Sequence, residues 1–257
     1  MCRICTDPIE QLLELTELNC SYCPALTAIP PQLVKLQRLY CYGCPLLTSI
    51  PAELVNLVEV YCYGCPRLAS IPTTLASLTT LSCANCPRLA SIPPTLVNLT
   101  KLGCSRCPLL LSIPLTLVRL TKLYCSGCPL LVSIPDTLVN LTKLCCCDCP
   151  RLASIPSTLV NLVELLCSNC PLLVSIPSVA IWTVCEGCPW LPQNVADYPV
   201  HLSSLLRLQR WFRGGRKQTF RRWIRTRAFN EFIFHPDRIG GKLVKRQMEV
   251  ELGQMRG

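Results

Sequence analysis

Cysteine carries most of the chemistry open to this chain: 22 of its 257 residues are cysteines, against two histidines. Most come as Cys-x-x-Cys-Pro pairs, at Cys20/Cys23, Cys41/Cys44, Cys62/Cys65, Cys83/Cys86, Cys104/Cys107, Cys125/Cys128, Cys146/Cys149, Cys167/Cys170 and Cys185/Cys188. Such a pair supplies half of a tetrahedral thiolate zinc site. It is also the dithiol of exchange enzymes and, in oxidising compartments, the raw material of a disulfide framework. The elements that hold the sulfurs decide between these.

An Ile-Pro step recurs with the pairs, at Pro30, Pro51, Pro72, Pro93, Pro114, Pro135, Pro156 and Pro177, always 21 residues apart. The ninth cysteine pair arrives three residues early. A fixed period of this size predicts a solenoid whose units bury their apolar faces against one another. In register, one unit reads L-x-x-L-x-C-x-x-C-P-x-L-x-S-I-P-x-x-L-x-x. The alternation Leu39-Tyr40-Cys41-Tyr42 is that of a strand, with Leu39 and Cys41 inward and both tyrosines outward. Ile50, Leu54 and Leu57 supply the rest of that unit's core. Before the repeats, Asp7-Pro8-Ile9-Glu10 predicts a capping helix with Asp7 as N-cap and Pro8 as its first residue. After them, the irregular ninth unit with Trp182 and Trp190 reads as a closing coil. The expected organisation is an N-terminal cap over 1–14, a solenoid over 15–195 of eight 21-residue units plus a closing coil, and a tail over 196–257.

On such a scaffold the cysteines read as packing. Zinc–sulfur bonds of about 2.3 Å require sulfurs roughly 3.8 Å apart, whereas equivalent atoms of neighbouring strands sit about 4.8 Å apart. The pairs also lie on or just after a strand, without the helix N-terminus that activates a redox dithiol. Stacked, buried thiols are therefore expected, with no metal and no cofactor. The opening MCRICTDPIEQ does not read as a secretion signal, and no uninterrupted apolar run approaches the length of a membrane span. The expectation is a soluble intracellular protein with reduced thiols. Adjacent coils are close enough that oxidation could staple them. Cys145 and Cys147 flank Cys146 and are expected to face outward.

The unit L-x-x-L-x-C-x-x-C-x-x-L resembles the leucine-rich repeat, with cysteine where many family members carry asparagine, over roughly residues 12–191. The resemblance implies a right-handed solenoid with a parallel β-sheet on its concave face and short 3₁₀ or extended convex segments. It also implies partner binding on the concave face. Function then lies in the outward positions that vary. Tyr40, Tyr42, Tyr61 and Tyr63 bring four tyrosines together in consecutive units, and Lys101, Lys122 and Lys143 form a row at one outward position. Nothing resembles catalysis: both histidines, His201 and His235, lie beyond the repeats, and no phosphate-binding glycine loop is present. The reading is a non-enzymatic protein-binding or scaffold protein.

The tail differs in kind. Residues 1–195 hold 11 basic and 10 acidic residues, while 196–257 hold 14 and 5, so the tail carries +9 of the net +10. Leu202, Leu205, Leu206 and Phe212 share one helical face, which predicts a basic amphipathic helix. Within it, Leu208, Gln209, Arg213 and Gly214 resemble the IQ motif, which implies a calmodulin-like partner, although the closing basic position falls on Gln218. A polyanion such as nucleic acid and an anionic membrane surface are the alternatives, as is an effector or enzyme subunit acting through the tail. Taken together, the cysteine-rich repeats followed by LQRWFR and HPDRIGG resemble leucine-rich repeat proteins of large DNA viruses of protists, the marseilleviruses among them. That resemblance implies a host-cell protein as partner and the host cytoplasm as setting.

Overall fold

The repeat of the sequence becomes a repeat of one strand per coil. A computed structural model describes residues 2–174, 176–177, the strand at 182–184 and Cys188. Among these residues run nine three-residue strands: β1 (Glu17–Asn19), β2 (Arg38–Tyr40), β3 (Glu59–Tyr61), β4 (Thr80–Ser82), β5 (Lys101–Gly103), β6 (Lys122–Tyr124), β7 (Lys143–Cys145), β8 (Glu164–Leu166) and β9 (Trp182–Val184). All pair in parallel with their sequence neighbours, in the order β1 to β9. The register advances by one full repeat per strand from Glu17↔Arg38 onward. It shortens only at the last pair, Glu164↔Trp182, which confirms the early ninth unit. Parallel strands in this order require each connecting segment to carry the chain from the end of one strand back to the level where the next begins, and the rest of each unit does so.

In strands β1 to β8 the middle side chain is buried and its two neighbours are not. Leu39, Cys41, Ile50, Leu54 and Leu57 are at most 2 % exposed, as the alternation required. The core is made of such residues in coil after coil, and among the described residues no polar or charged residue joins it. The return segments are successive turns closed by single bonds, such as Leu33 N–H to the Pro30 carbonyl (3.3 Å) and Leu36 N–H to the Leu33 carbonyl (3.1 Å). They are extended chain and single i→i+3 turns, in keeping with the short 3₁₀ or extended convex segments expected. Proline suits them because it presets φ and no ladder donor is needed there. Their carbonyls are met by threonine and asparagine from the next coil, as Thr95 Oγ1 to the Thr73 carbonyl (2.6 Å) and Asn140 Nδ2 to the Val118 carbonyl (2.9 Å).

The cap differs from expectation. A four-residue helix, α1 (Arg3–Thr6), precedes Asp7, which ends it instead of starting the next. The Asp7 carboxylate is held by Arg3 (2.7 Å) and Thr6 (2.7 Å), so it is not available to cap the next turn. After Pro8 comes one 3₁₀ turn, Ile9–Gln11. The local ion pair outcompetes the capping geometry. Among the described residues no helix is long and apolar enough to cross a membrane. The basic tail, with Leu208, Gln209, Arg213 and Gly214, lies outside the described residues.

Candidate interaction surface and the thiol ladder

The strand flanks place the tyrosines. Tyr40 ends β2, Tyr61 ends β3, and the two are register partners. Parallel strands bring their rings face to face: the centroids are 5.1 Å apart and the planes differ by 1°. Tyr42, one residue beyond Cys41, tilts against both at 6.1 and 6.0 Å. The three rings form one half-buried platform on the outer side of the sheet. Burial pushes the Tyr61 hydroxyl up to about 12, helped by its bond to Glu59 (2.9 Å), and burial also raises Tyr42. Both are neutral phenols at physiological pH. Tyr63 extends the platform without joining it, 43 % exposed and in no ring contact among the described residues.

Tyr22 was not legible as a neighbour of this group. It is 75 % exposed, with its ring against Gly43, where Cδ1 lies 2.8 Å from the place a Cβ would occupy. The residue before the second cysteine adopts a left-handed φ in each of the first eight coils: Tyr22 56°, Gly43 57°, Gly64 70°, Asn85 55°, Arg106 55°, Gly127 69°, Asp148 56° and Asn169 58°. The prevalence of glycine, asparagine and aspartate at this position was the available signal.

The lysines are in register as expected: Lys101 opposite Lys122 and Lys122 opposite Lys143. They are not equivalent. Lys143 pairs with Glu164 (2.8 Å) and lies 5.7 Å from the Tyr124 ring centroid, and the Glu164 carboxylate raises its affinity for its proton. Lys101 and Lys122 have no carboxylate partner among the described residues, so the usable positive charge is two residues wide.

Both cysteines of each of the first eight pairs are buried, and they do different things. The first, inward on the strand flank, packs as a small apolar side chain. The second donates its thiol to the carbonyl of the first cysteine one coil earlier, from Cys44 to Cys20 (3.1 Å) through Cys170 to Cys146 (3.1 Å). Even the shortened ninth unit keeps the contact, with Cys188 on Cys167 at 3.1 Å. Burial drives Cys104 and Cys125 well above the ordinary thiol range, the reverse of an activated nucleophile. Cys145 and Cys147 are half-buried, less open than their outward positions implied. Cys167 also departs from the expected thiol, being disulfide-bonded.

One group of sulfurs lies outside this pattern. Cys2 and Cys5 of the cap meet Cys23, with Cys2 Sγ 3.8 Å from Cys5 Sγ and Cys5 Sγ 3.5 Å from Cys23 Sγ. It is the only group of three or more metal-capable side chains among the described residues whose ligand atoms converge.

The coil geometry and the ladder decide the architecture. The family profile of the leucine-rich repeat matches residues 35–57 and 119–141. The chain is a parallel β-solenoid that resembles the leucine-rich repeat fold. Its fold is similar to that of a leucine-rich repeat protein of Leptospira interrogans, at 19 % identity and a TM-score of 0.51, over 72 % of this chain and 58 % of that one. It is also similar to the leucine-rich repeat domain of the type III effector XopL, at 20 % identity and a TM-score of 0.53, over 72 % and 81 %. This solenoid thus spans little more than half of the Leptospira protein. No curated protein matches the chain.

Proposed function

We propose that this leucine-rich repeat protein is a non-catalytic recognition module that binds a protein partner on the concave, sheet-bearing face. The observation that carries the proposal is the platform of Tyr40, Tyr42 and Tyr61, three half-buried rings on the outer side of the sheet. Packed tyrosines offer apolar area at low entropy cost and keep their hydroxyls for directional contacts. The ring faces suit an apolar side chain or a guanidinium group. Tyr63 lies at the edge, and Lys101 and Lys122 provide a cationic patch two coils further on. The sequence likeness to proteins of protist viruses favours a host protein as partner.

The tail adds a second recognition element within the same proposal. Its charge of +9 and the set Leu208, Gln209, Arg213 and Gly214 favour a calmodulin-like protein over catalysis.

The test is parallel capture from protist lysate by immobilised full-length protein and by a Tyr40→Ala/Tyr61→Ala variant. Loss of two central hot-spot rings is expected to weaken the captured interaction by about 30-fold or more. Equal capture by the variant, with its circular dichroism unchanged, contradicts the proposal.

A further inference from the structure

The repeat explains every ladder thiol except the first. In each later coil the second cysteine turns its Sγ to a carbonyl of the coil before it. Cys23 is the second cysteine of the first coil and has no earlier coil to bond. Its thiol instead meets Cys5 at 3.5 Å, and Cys5 meets Cys2 at 3.8 Å. All three sulfurs lie within 4.8 Å of one another. Tetrahedral thiolate coordination requires sulfurs roughly 3.8 Å apart, from zinc–sulfur bonds of about 2.3 Å. The coil spacing that argues against metal along the ladder does not apply here, because two of the ligands come from the cap.

The sequence carries the same signature. Cys2, Cys5, Cys20 and Cys23 form two Cys-x-x-Cys pairs, one on the cap and one on the first coil. Paired knuckles separated by about 15–20 residues are a recurrent zinc arrangement, and here 14 residues lie between Cys5 and Cys20. Three of the four sulfurs converge. Cys20 is fully buried and directs its thiol to the Tyr40 carbonyl at 3.4 Å. Cys5 faces solvent, which provides an entry path.

We propose that Cys2, Cys5 and Cys23 form a binding site for one thiophilic divalent cation of the zinc class, which fastens the cap to the first coil. Three thiolates bind the metal, and the fourth tetrahedral position is left to water or an added ligand. Each S–H exchanged for an S–metal bond releases one proton to solvent, so binding strengthens as pH rises.

The test uses reduced, metal-stripped, full-length protein titrated with zinc(II), and with cobalt(II) as a spectroscopic probe. One metal per chain is expected, with thiolate-to-cobalt charge-transfer absorption. Because loss of an outer-shell partner alone costs a site 10–100-fold in affinity, Cys2→Ser and Cys5→Ser, each removing a ligand, should weaken binding by about 100-fold or more. Both residues precede the repeats, so these variants should keep the solenoid's circular dichroism. A Cys145→Ser/Cys147→Ser variant should bind like wild type. Failure of stripped wild type to take up metal overturns the proposal, as does undiminished uptake by a Cys2→Ser/Cys5→Ser double variant.

Discussion

The thiol of Cys65 lies 3.0 Å from the carbonyl oxygen of Cys41, 24 residues earlier in the chain and one coil away. Repeated in each later coil, this contact gives the second cysteine of the pair its purpose. The β-sheet ladder cannot reach that carbonyl, and a buried acceptor left alone is costly. Cysteine meets it with a weak donor while remaining small and apolar enough to pack.

Removing one such thiol should therefore cost stability locally. Cys107→Ala leaves the Cys83 carbonyl without its donor, at 3.3 Å in the native protein. The expected loss is about 1–2 kcal/mol, read by urea denaturation. A change under about 0.3 kcal/mol would show that the contact contributes nothing.

Two glycines in neighbouring coils should respond unequally to the same substitution. Gly127 has φ 69°, and a Cβ there would stand 3.2 Å from Arg106 Cγ. Gly103 has no such backbone constraint, and its nearest Cβ contact would be 3.5 Å. Gly127→Val should cost about 1–3 kcal/mol, while Gly103→Val, on an outward strand position, should stay within about 0.5 kcal/mol. Similar effects at both sites would contradict the left-handed turn.

A coil contacts its neighbours, so deleting residues 115–135 should leave a shorter folded solenoid with the same far-ultraviolet spectrum per residue. Leu102→Asp should unfold it, because Leu102 is fully buried in mid-strand and the new charge has no partner. The reverse outcome would place the repeat register elsewhere.

The thiols also set a pH dependence. Burial pushes Cys107, Cys128 and Cys149 up to about 11, against an unfolded value of about 8.5. Groups with raised native values leave the unfolded state holding fewer protons, so stability declines with pH once unfolded thiols ionise. The contribution is complete below about pH 8.5 and is lost as pH rises toward 11. Under reductant, Tm should be flat to about pH 8.5 and then fall. A Tm that rises over this interval would mean the thiols ionise in the native core.

Periodicity made most of the fold legible. The fixed repeat dictates one coil per unit, and the alternation around Leu39 and Cys41 assigns the faces correctly because one face is buried. The tyrosine and lysine neighbours followed from register alone. What escaped depends on individual side chains: Asp7 is taken up by Arg3 and Thr6, Lys143 is neutralised by Glu164, and Tyr22 reaches Gly43 through a left-handed turn. The meeting of Cys2 and Cys5 with Cys23 depends on how the cap folds back, which no period encodes.

The central claim is that the ladder cysteines are architecture, and native-state thiol alkylation mapped by mass spectrometry tests it most directly. In metal-free protein at pH 8, Cys2 and Cys147 should label first, with Cys5 slower because its bond to Cys23 pushes its thiol up to about 11. Cys145 should accelerate toward pH 11, since burial pushes its thiol up to about 11 and only the thiolate reacts. Cys104, Cys107, Cys125 and Cys128 should stay unlabelled until the solenoid unfolds. If these four label in the folded protein as fast as Cys147, the thiols are open to chemistry and the ladder is a site, not a core.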